Sequence, residues 1–293
     1  MTDVKKVWFV TGASRGLGAE ITRAALGAGH CVVAAVRRPE TVVGSFPTSP
    51  DLLVTRLDVT RREEAESAVD ATLQRFGHID VLVNNAGYGV FGYFEELTPS
   101  QIERQFATNV YGLMNVTRSV LPHLRAQRSG HLITISSVSG LVGGAGRSAY
   151  HASKFAVEGF MESLRDEVSP FGITTTLIEP GYLRTEFLDA ASIIYGEVQV
   201  DDYAEASTVL RTSQDAMIGI QEGDPVKLAQ LLVSFADAQA PPRRFIAGTD
   251  AYGLAGADLR SRARELAAWR HLSTSLGYGE VAKVVDPAST PAT

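Results

Sequence analysis

The 293-residue sequence predicts a doubly wound α/β fold, a parallel sheet with helices on both faces, in a single domain over residues 1–283. Two observations carry that prediction. Short β-branched runs alternate with longer amphipathic patterns from the first strand onward, and a glycine-rich turn joins the first such run to the first helix. Parallel neighbours cannot be joined by a tight hairpin, so each connection must cross over the sheet, and a helix is the usual crossover. Strands covered on both faces then read as continuous apolar runs rather than alternating ones.

The elements follow in order. "KVWFV" is the first strand, "GLGAEITRAALGAG" the first helix and "CVVAAV" the second strand. "LVTRLD", "REEAESAVDATLQRFG" and "IDVLVNNAG" repeat the rhythm, which continues through a long helix from about Pro99 to Arg128 and the strand "HLITISS". A helix from about Ser148 to Ser169 and the strand "GITTTLIEP" come next. After Pro180 the rhythm breaks, and residues 182–215 read as an insertion without a strand, positioned to act as a lid or pocket wall. A helix from about Asp224, a strand near "RRFIAG" and a helix around "DLRSRARELAAWRHL" complete the domain, and residues 284–293 read as a disordered tail.

Composition excludes several classes. Lys and Arg total 27 against 33 for Asp and Glu, a formal charge of −6, which leaves no broad basic field for nucleic acid. The single cysteine, Cys31, rules out an internal disulfide and a multi-cysteine zinc site, and its apolar surroundings read as core packing. The six histidines lack ligand spacing, so no metal is expected. The opening "MTDVKKVWFVTG" is too short in apolar residues for a signal peptide, and no run approaches the ~18 residues of a membrane span. A cytoplasmic location is expected.

The stretch "VWFVTGASRGLGAEI" sets Gly12, Gly16 and Gly18 between a buried strand and an amphipathic helix. Glycine permits a tight turn and a close approach to the backbone, while the helix behind it aims amide groups and the positive end of its dipole at the loop. A diphosphate fits there.

With "NNAG" at Asn84–Gly87, "SS" at Ser136 and Ser137, "YHASK" at Tyr150–Lys154 and "PG" at Pro180 and Gly181, the chain resembles the short-chain dehydrogenase/reductase family. The resemblance covers roughly residues 5–250, with the motifs in family order, and the glycine spacing is Gly-x3-Gly-x-Gly rather than the commoner Gly-x-Gly-x2-Gly. It implies a Rossmann-type seven-stranded sheet in the order 3-2-1-4-5-6-7, with cofactor and substrate at its carboxyl edge. Gly12, Ser14, Arg15, Gly16, Leu17 and Gly18 are the implied diphosphate loop. Asp58 and Val59 match the adenine-contacting position, although Asp58 can also cap the helix that begins near Arg61. Asn84 and Ala86 match the segment beneath the adenosine, with Asn85 and Gly87 beside them. Pro180, Gly181 and Thr185 match the nicotinamide end, where Thr185 would bond the carboxamide.

Relatives that use NAD carry an acid near the end of the second strand, where this chain has Val36, Arg37 and Arg38. Guanidinium groups bind phosphate bidentately, so Arg37 and Arg15 predict NADP(H) through contacts with its 2′-phosphate.

Tyr150 and Lys154 stand four residues apart on one helical face. A tyrosine titrates near about pH 10, and a neighbouring ammonium favours its phenolate. The resemblance makes Tyr150 the general acid in reduction and Lys154 its modulator and ribose anchor. It makes Ser137, rather than Ser136, the group that polarises the substrate carbonyl, and Asn109 the support of a proton relay. His151, rotated about 100° from Tyr150 around the helix, is given no catalytic role.

Tyr182, Leu183 and Phe187, with "VSGLVGGAG" and "GYGVFGYF", supply aromatic and aliphatic walls that suit a hydrophobic ketone, aldehyde or secondary alcohol, while Arg147 and Arg184 leave an acidic substrate open. The reading is an NADPH-dependent carbonyl reductase, reversible as an alcohol dehydrogenase, similar to the hydroxysteroid- and retinol-dehydrogenase-like branch. Two alternatives stand beside it: an NADP(H) sensor without turnover, and a reductase of an activated carbon-carbon double bond. The resemblance also implies a homodimer or homotetramer, paired through the Pro99–Arg128 helix and the helix carrying Tyr150.

Overall fold

The structure is a computed structural model that describes residues 5–42, 44–189 and 192–278, so the expected tail over 284–293 lies outside the described residues. The first half of the chain supplies β1 (Val7–Thr11), α1 (Gly16–Gly27), β2 (Cys31–Val36), β3 (Leu52–Arg56), α2 (Arg62–Phe76) and β4 (Val81–Asn84). A short strand β5 (Gly89–Phe91) precedes α3 (Pro99–Phe106), which runs through a π-helical turn, Ala107–Gly112, into α4 (Leu113–Gln127). Then come β6 (Gly130–Ile135), α5 (Ser148–Val168) and β7 (Ile173–Pro180). The remainder holds β8 (Ile193–Tyr195), α6 (Ala204–Met217), α7 (Pro225–Asp237), β9 (Arg244–Ala247) and α8 (Thr249–Ala268).

Seven strands form one parallel sheet in the order β3-β2-β1-β4-β6-β7-β9, which is 3-2-1-4-5-6-7 when those strands are counted along the chain. From β1 the first crossovers step outward one way and the later ones the other, so a crevice opens where β1 and β4 lie side by side. Both faces of the central strands are apolar for a visible reason. Phe9 and Val33 pack among α2, α4 and α5, whereas Trp8, Val10, Val32 and Ala34 face α1 and α7. Alternate side chains of a strand point to opposite faces, so covering both faces demands an uninterrupted apolar run.

Local signals set the helix ends. Thr98 caps α3 by accepting from Gln101 N at 3.3 Å while Gln101 Oε1 accepts from Thr98 N at 3.0 Å, a reciprocal box ahead of Pro99. Asp224 caps α7 by accepting from Val226 N and Lys227 N. Asp58 does not cap α2: its Oδ1 accepts from Thr60 N at 3.0 Å and Thr60 Oγ1 at 2.7 Å in a local turn, and the residue preceding the helix is Arg61.

Two expectations need correction. The helix expected as one piece from Pro99 to Arg128 contains the π-helical turn, and the insertion over 182–215 is not irregular. β8 pairs in parallel with β5, and the fourteen-residue helix α6 begins within the insertion at Ala204. The pattern was silent because β5 and β8 have three residues each, too few for a period, and the residues α6 buries are Ser207 and Gln214. Polar and apolar contacts together dock that helix: Ser207 Oγ donates to the buried Glu96 carboxylate at 2.6 Å, and Leu210 and Met217 pack on the cluster around Phe91 and Tyr150. Among the described residues no helix is long and apolar enough to cross a membrane.

Candidate active site at the carboxyl edge of the sheet

A cleft of about 1180 Å³ runs along the carboxyl edge from Arg37 and Arg38 at one end to Tyr182 and Phe187 at the other. Its floor is the turn between β1 and α1. Gly12 and Gly16 take φ of +65° and +53°, the left-handed region that glycine enters without steric cost. A Cβ on Gly18 would stand 2.4 Å from Gly12 O and 2.5 Å from Asn85 Nδ2, so no larger residue fits. The loop is locked from below by β4. Thr11 Oγ1 accepts from Asn85 N at 2.9 Å and Ala86 N at 3.1 Å, and Asn85 Nδ2 donates to Thr11 O at 2.9 Å. Asn84, behind them, donates to Thr117 Oγ1 at 3.0 Å and fastens β4 to α4.

The first turn of α1 has no side-chain cap and no acid. Its amide-rich, positive end therefore faces the cleft together with Ser14, Arg15, Gly16 and Leu17, an arrangement that fits an anionic diphosphate. Arg15 Nη2 donates to Ser192 Oγ at 2.8 Å, which ties the loop to the segment before β8. Arg37 and Arg38, just past β2, line the same end with Asp58, and Val59 lies buried beside it. Ala86, Gly87, Pro180, Gly181 and Thr185 line the middle. Thr185 approaches the loop closely, since a Cβ on Gly16 would stand 3.4 Å from Thr185 Cβ, and its Oγ1 accepts from Phe187 N at 3.3 Å.

Ser137, Tyr150 and Lys154 meet on one wall. β6 delivers the two serines to opposite sides, as strand alternation requires: Ser137 Oγ accepts from Ser139 N at 3.1 Å and adjoins Tyr150, while Ser136 is buried against Glu158. Tyr150 is packed between Phe91 at 5.7 Å and Phe187 at 6.0 Å, ring centre to ring centre. Burial pushes its phenol up to about 12, opposed first by the Ser137 hydroxyl and then by the Arg147 guanidinium. The sequence had pointed to Lys154 as the opposing cation. In the structure Lys154 Nζ stands 5.9 Å from the Tyr150 ring centre and donates to Ile135 O at 3.0 Å, and burial pulls its pKa down to about 8 against the pull of Glu158.

Asn109 sits in the π-helical turn, buried, 3.2 Å from Ser153 Oγ. Its side chain serves the loop after β4 rather than touching Lys154 directly. His151, expected to face elsewhere, lines the cleft wall with Nδ1 3.0 Å from Ser139 O.

The sequence reading named Arg147 only as a cation for an acidic substrate and missed Asp250, Glu158, Glu179 and Arg244. Arg147 reaches over Phe91 at 5.0 Å and donates to Tyr182 OH at 3.0 Å, placing a cation beside Tyr150. Asp250, in the first turn of α8, accepts from Tyr182 N at 2.8 Å and holds the strand-end turn. The buried Glu158 and Glu179 and the half-buried Arg244 form a charged cluster behind the wall that holds Tyr150 and Lys154. An arginine three residues before the tyrosine was visible as a charge, but its partners lie thirty-five and more residues away in sequence. Among the described residues no group of three or more His, Cys, Asp or Glu is placed to hold a metal ion.

Residues 6–193 match the family described as short chain dehydrogenase. Oxidoreductase BOA17 of Botryotinia fuckeliana is 37% identical over 273 residues, covering 92% of this chain and 98% of that protein. A short-chain dehydrogenase from Streptomyces avermitilis superposes with a TM-score of 0.84 at 36% identity, over 94% of this chain and all of that one. The fold also matches, at 24% identity and a TM-score of 0.75, a short-chain dehydrogenase/reductase from Burkholderia phymatum solved in complex with NAD, over 90% of this chain and 95% of that one.

Proposed function

The chain belongs to the short-chain dehydrogenase/reductase family of oxidoreductases, and from that premise we propose that it reduces a hydrophobic ketone or aldehyde with NADPH, reversibly, using Tyr150 as the general acid. One observation carries the reading: the cleft that receives the uncapped end of α1 also holds Ser137, Tyr150 and Lys154 on a single wall.

The bound cofactor supplies the hydride. The glycine loop and the α1 terminus hold its diphosphate, and Arg37, with Arg15 as a second cation, favours a 2′-phosphate at the end where no acid follows β2. Thr185 and the Pro180–Gly181 turn orient the nicotinamide end. Ser137 Oγ orients the substrate carbonyl and stabilises charge as it develops on oxygen, and Tyr150 Oη delivers the proton to that oxygen. In its resting form the Tyr150 phenol is fully protonated at neutral pH, as a proton donor must be. Lys154 supplies positive charge behind it and anchors the ribose.

The aromatic wall of Phe91, Tyr182 and Phe187 excludes water and suits an apolar substrate. The exposed Tyr111 of the π-helical turn and Phe155 of α5 support pairing of two copies along those helices.

The test is the rate of NADPH oxidation, with NADH in parallel, over aliphatic, aryl and steroid ketones and aldehydes. Turnover that prefers NADPH and yields an alcohol is the expected outcome. NADPH binding without turnover on any member would favour a cofactor sensor, and a saturated ketone as product would make the enzyme a double-bond reductase.

A further inference from the structure

Behind Lys154, one turn farther along α5, lies Glu158, only 5% exposed. Glu179 of β7, 1% exposed, is its neighbour, and both carboxylates bind the Arg244 guanidinium of β9: Nη1 donates to Glu179 Oε1 at 2.8 Å and also to Glu158 Oε2. The outer nitrogen of Arg244 reaches Glu162 at 3.4 Å, near the surface. Two buried carboxylates share one guanidinium, and burial with Glu158 alongside raises Glu179 to about 7, so the two carboxyl groups hold a proton between them at lower pH, while Lys154 is the buried ammonium one turn before Glu158 on α5. The hydrogen-bond acceptor that Lys154 itself holds, Ile135 O, is neutral. An ammonium removed from water keeps its proton only where an anion compensates it.

We propose that Glu158 is a positioning residue of the reaction, which holds Lys154 in its charged form from behind the catalytic wall while Arg244 and Glu179 fix the carboxylate in place. The role rests on the reductase reading for its meaning, but its electrostatics belong to the protein alone. The groups that face Glu158 are Lys154 and Glu162 along α5, Glu179 from β7, Arg244 from β9 and the Ser136 hydroxyl at the end of β6. Those that face Lys154 are Tyr150 and Glu158, on its own helix.

The balance is close enough to matter. Burial lowers Lys154 to about 8, and Glu158 is the group that raises it. Burial also raises Glu158, while Ser136, Arg244 and Lys154 bring it back down. The two ends of the Lys154–Glu158 pair therefore support each other's ionisation. If Glu158 served only as a strut for Arg244, its replacement would loosen the fold and leave the lysine titration where it was.

The experiment uses the full chain without cofactor or substrate, labelled with ε-13C,ε-15N-lysine. The sequence has five lysines, so the Lys154 resonance is assigned by its loss in Lys154→Arg. In Glu158→Gln the Lys154 midpoint is expected to fall by about one pH unit, tenfold in proton affinity, and Glu158→Asp, which keeps the charge, is expected to recover most of it. An unchanged midpoint in Glu158→Gln, or an equal fall in Glu158→Asp, overturns the proposal. Should Glu158→Gln fail to fold, the reciprocal measurement decides. In δ-13C-glutamate-labelled protein, Lys154→Met must move the Glu158 titration upward, and no movement overturns the proposal just as firmly, because the coupling of two sites is mutual. Absence of turnover in the wild type would remove the reductase reading without altering any of these midpoints.

Discussion

Asn109 brackets the peptide of Tyr88: its Oδ1 accepts from Tyr88 N at 3.1 Å and its Nδ2 donates to Tyr88 O at 2.9 Å. The π-helical turn thereby grips the loop that follows the "NNAG" segment, and Gly87 lies against the same side chain. Gln105 Nε2 also donates to Tyr88 O, so Asn109→Ala leaves the Tyr88 N–H as the group without a partner. The group is part-buried, so the loss lies at or below the roughly 1–3 kcal/mol that a fully buried orphan costs. Urea unfolding is expected to register that loss, together with a lower kcat, and an unchanged midpoint would show that the grip is dispensable.

Tyr150→Phe keeps the ring contacts with Phe91 and Phe187 and removes the hydroxyl proposed as proton donor. Turnover is expected to fall by about 10²- to 10⁴-fold, the range of general acid catalysis, with NADPH affinity nearly intact by fluorescence titration. Retained turnover would exclude Tyr150 as the acid.

The pH profile of reduction should fall on the alkaline side near 8. Tyr150 keeps its proton to about 12, whereas Lys154 loses its charge near about 8. The limb in kcat/KM belongs to the free enzyme and should follow the lysine. The stability sign is opposite to the activity sign. Between about 8 and 10.5 the unfolded lysine binds more protons than the folded one, so this group's contribution to stability rises with pH across that window.

Arg37→Ala should weaken NADPH roughly 10- to 100-fold, the worth of one or two charge-assisted hydrogen bonds, and leave NADH nearly unchanged. Equal losses for both dinucleotides, measured by Kd, would remove Arg37 from the 2′-phosphate.

His131, at the start of β6, is 5% exposed and shares a 2.8 Å hydrogen bond with Thr176 Oγ1. Burial, aided by the Lys6 charge, lowers its pKa from 6.5 to about 4. The unfolded state therefore binds more protons between those values, and stability from this group is lost as the pH falls through that window. The full effect is on the order of 3 kcal/mol. His131→Asn should flatten this part of the stability curve relative to wild type, and parallel curves would refute the assignment.

The sheet was legible because its information is local. The apolar runs of β1 and β2, the glycines before α1 and the alternation of Ser136 with Ser137 each speak for themselves over a few residues. The order of strands and the roles of Asn109, Tyr150 and Lys154 came instead from family resemblance, since spacing alone gives faces and not partners. What stayed hidden is non-local or polar. Arg147 finds Tyr182, Glu158 finds Arg244, and α6 docks through a mixed face of Ser207, Leu210, Gln214 and Met217, contacts whose partners lie far away in the chain. Asp58 was ambiguous between two roles, and Thr60 resolved the local one through its hydroxyl.

The pairing of β5 with β8 makes one object of two distant stretches of chain. Phe91, at the end of β5, touches Tyr150 on one side and Tyr195 of β8 on the other, and Gln101 Nε2 donates to Tyr195 O at 2.9 Å. Part of the cleft wall, Phe91 and Ile194, thus belongs to a small cassette outside the main sheet. Because β5 and β8 pair only with each other, changes in their length or side chains are expected to leave the seven strands of the main sheet in place. Selection for a new substrate would be expected to act first on this cassette and last on the glycine loop.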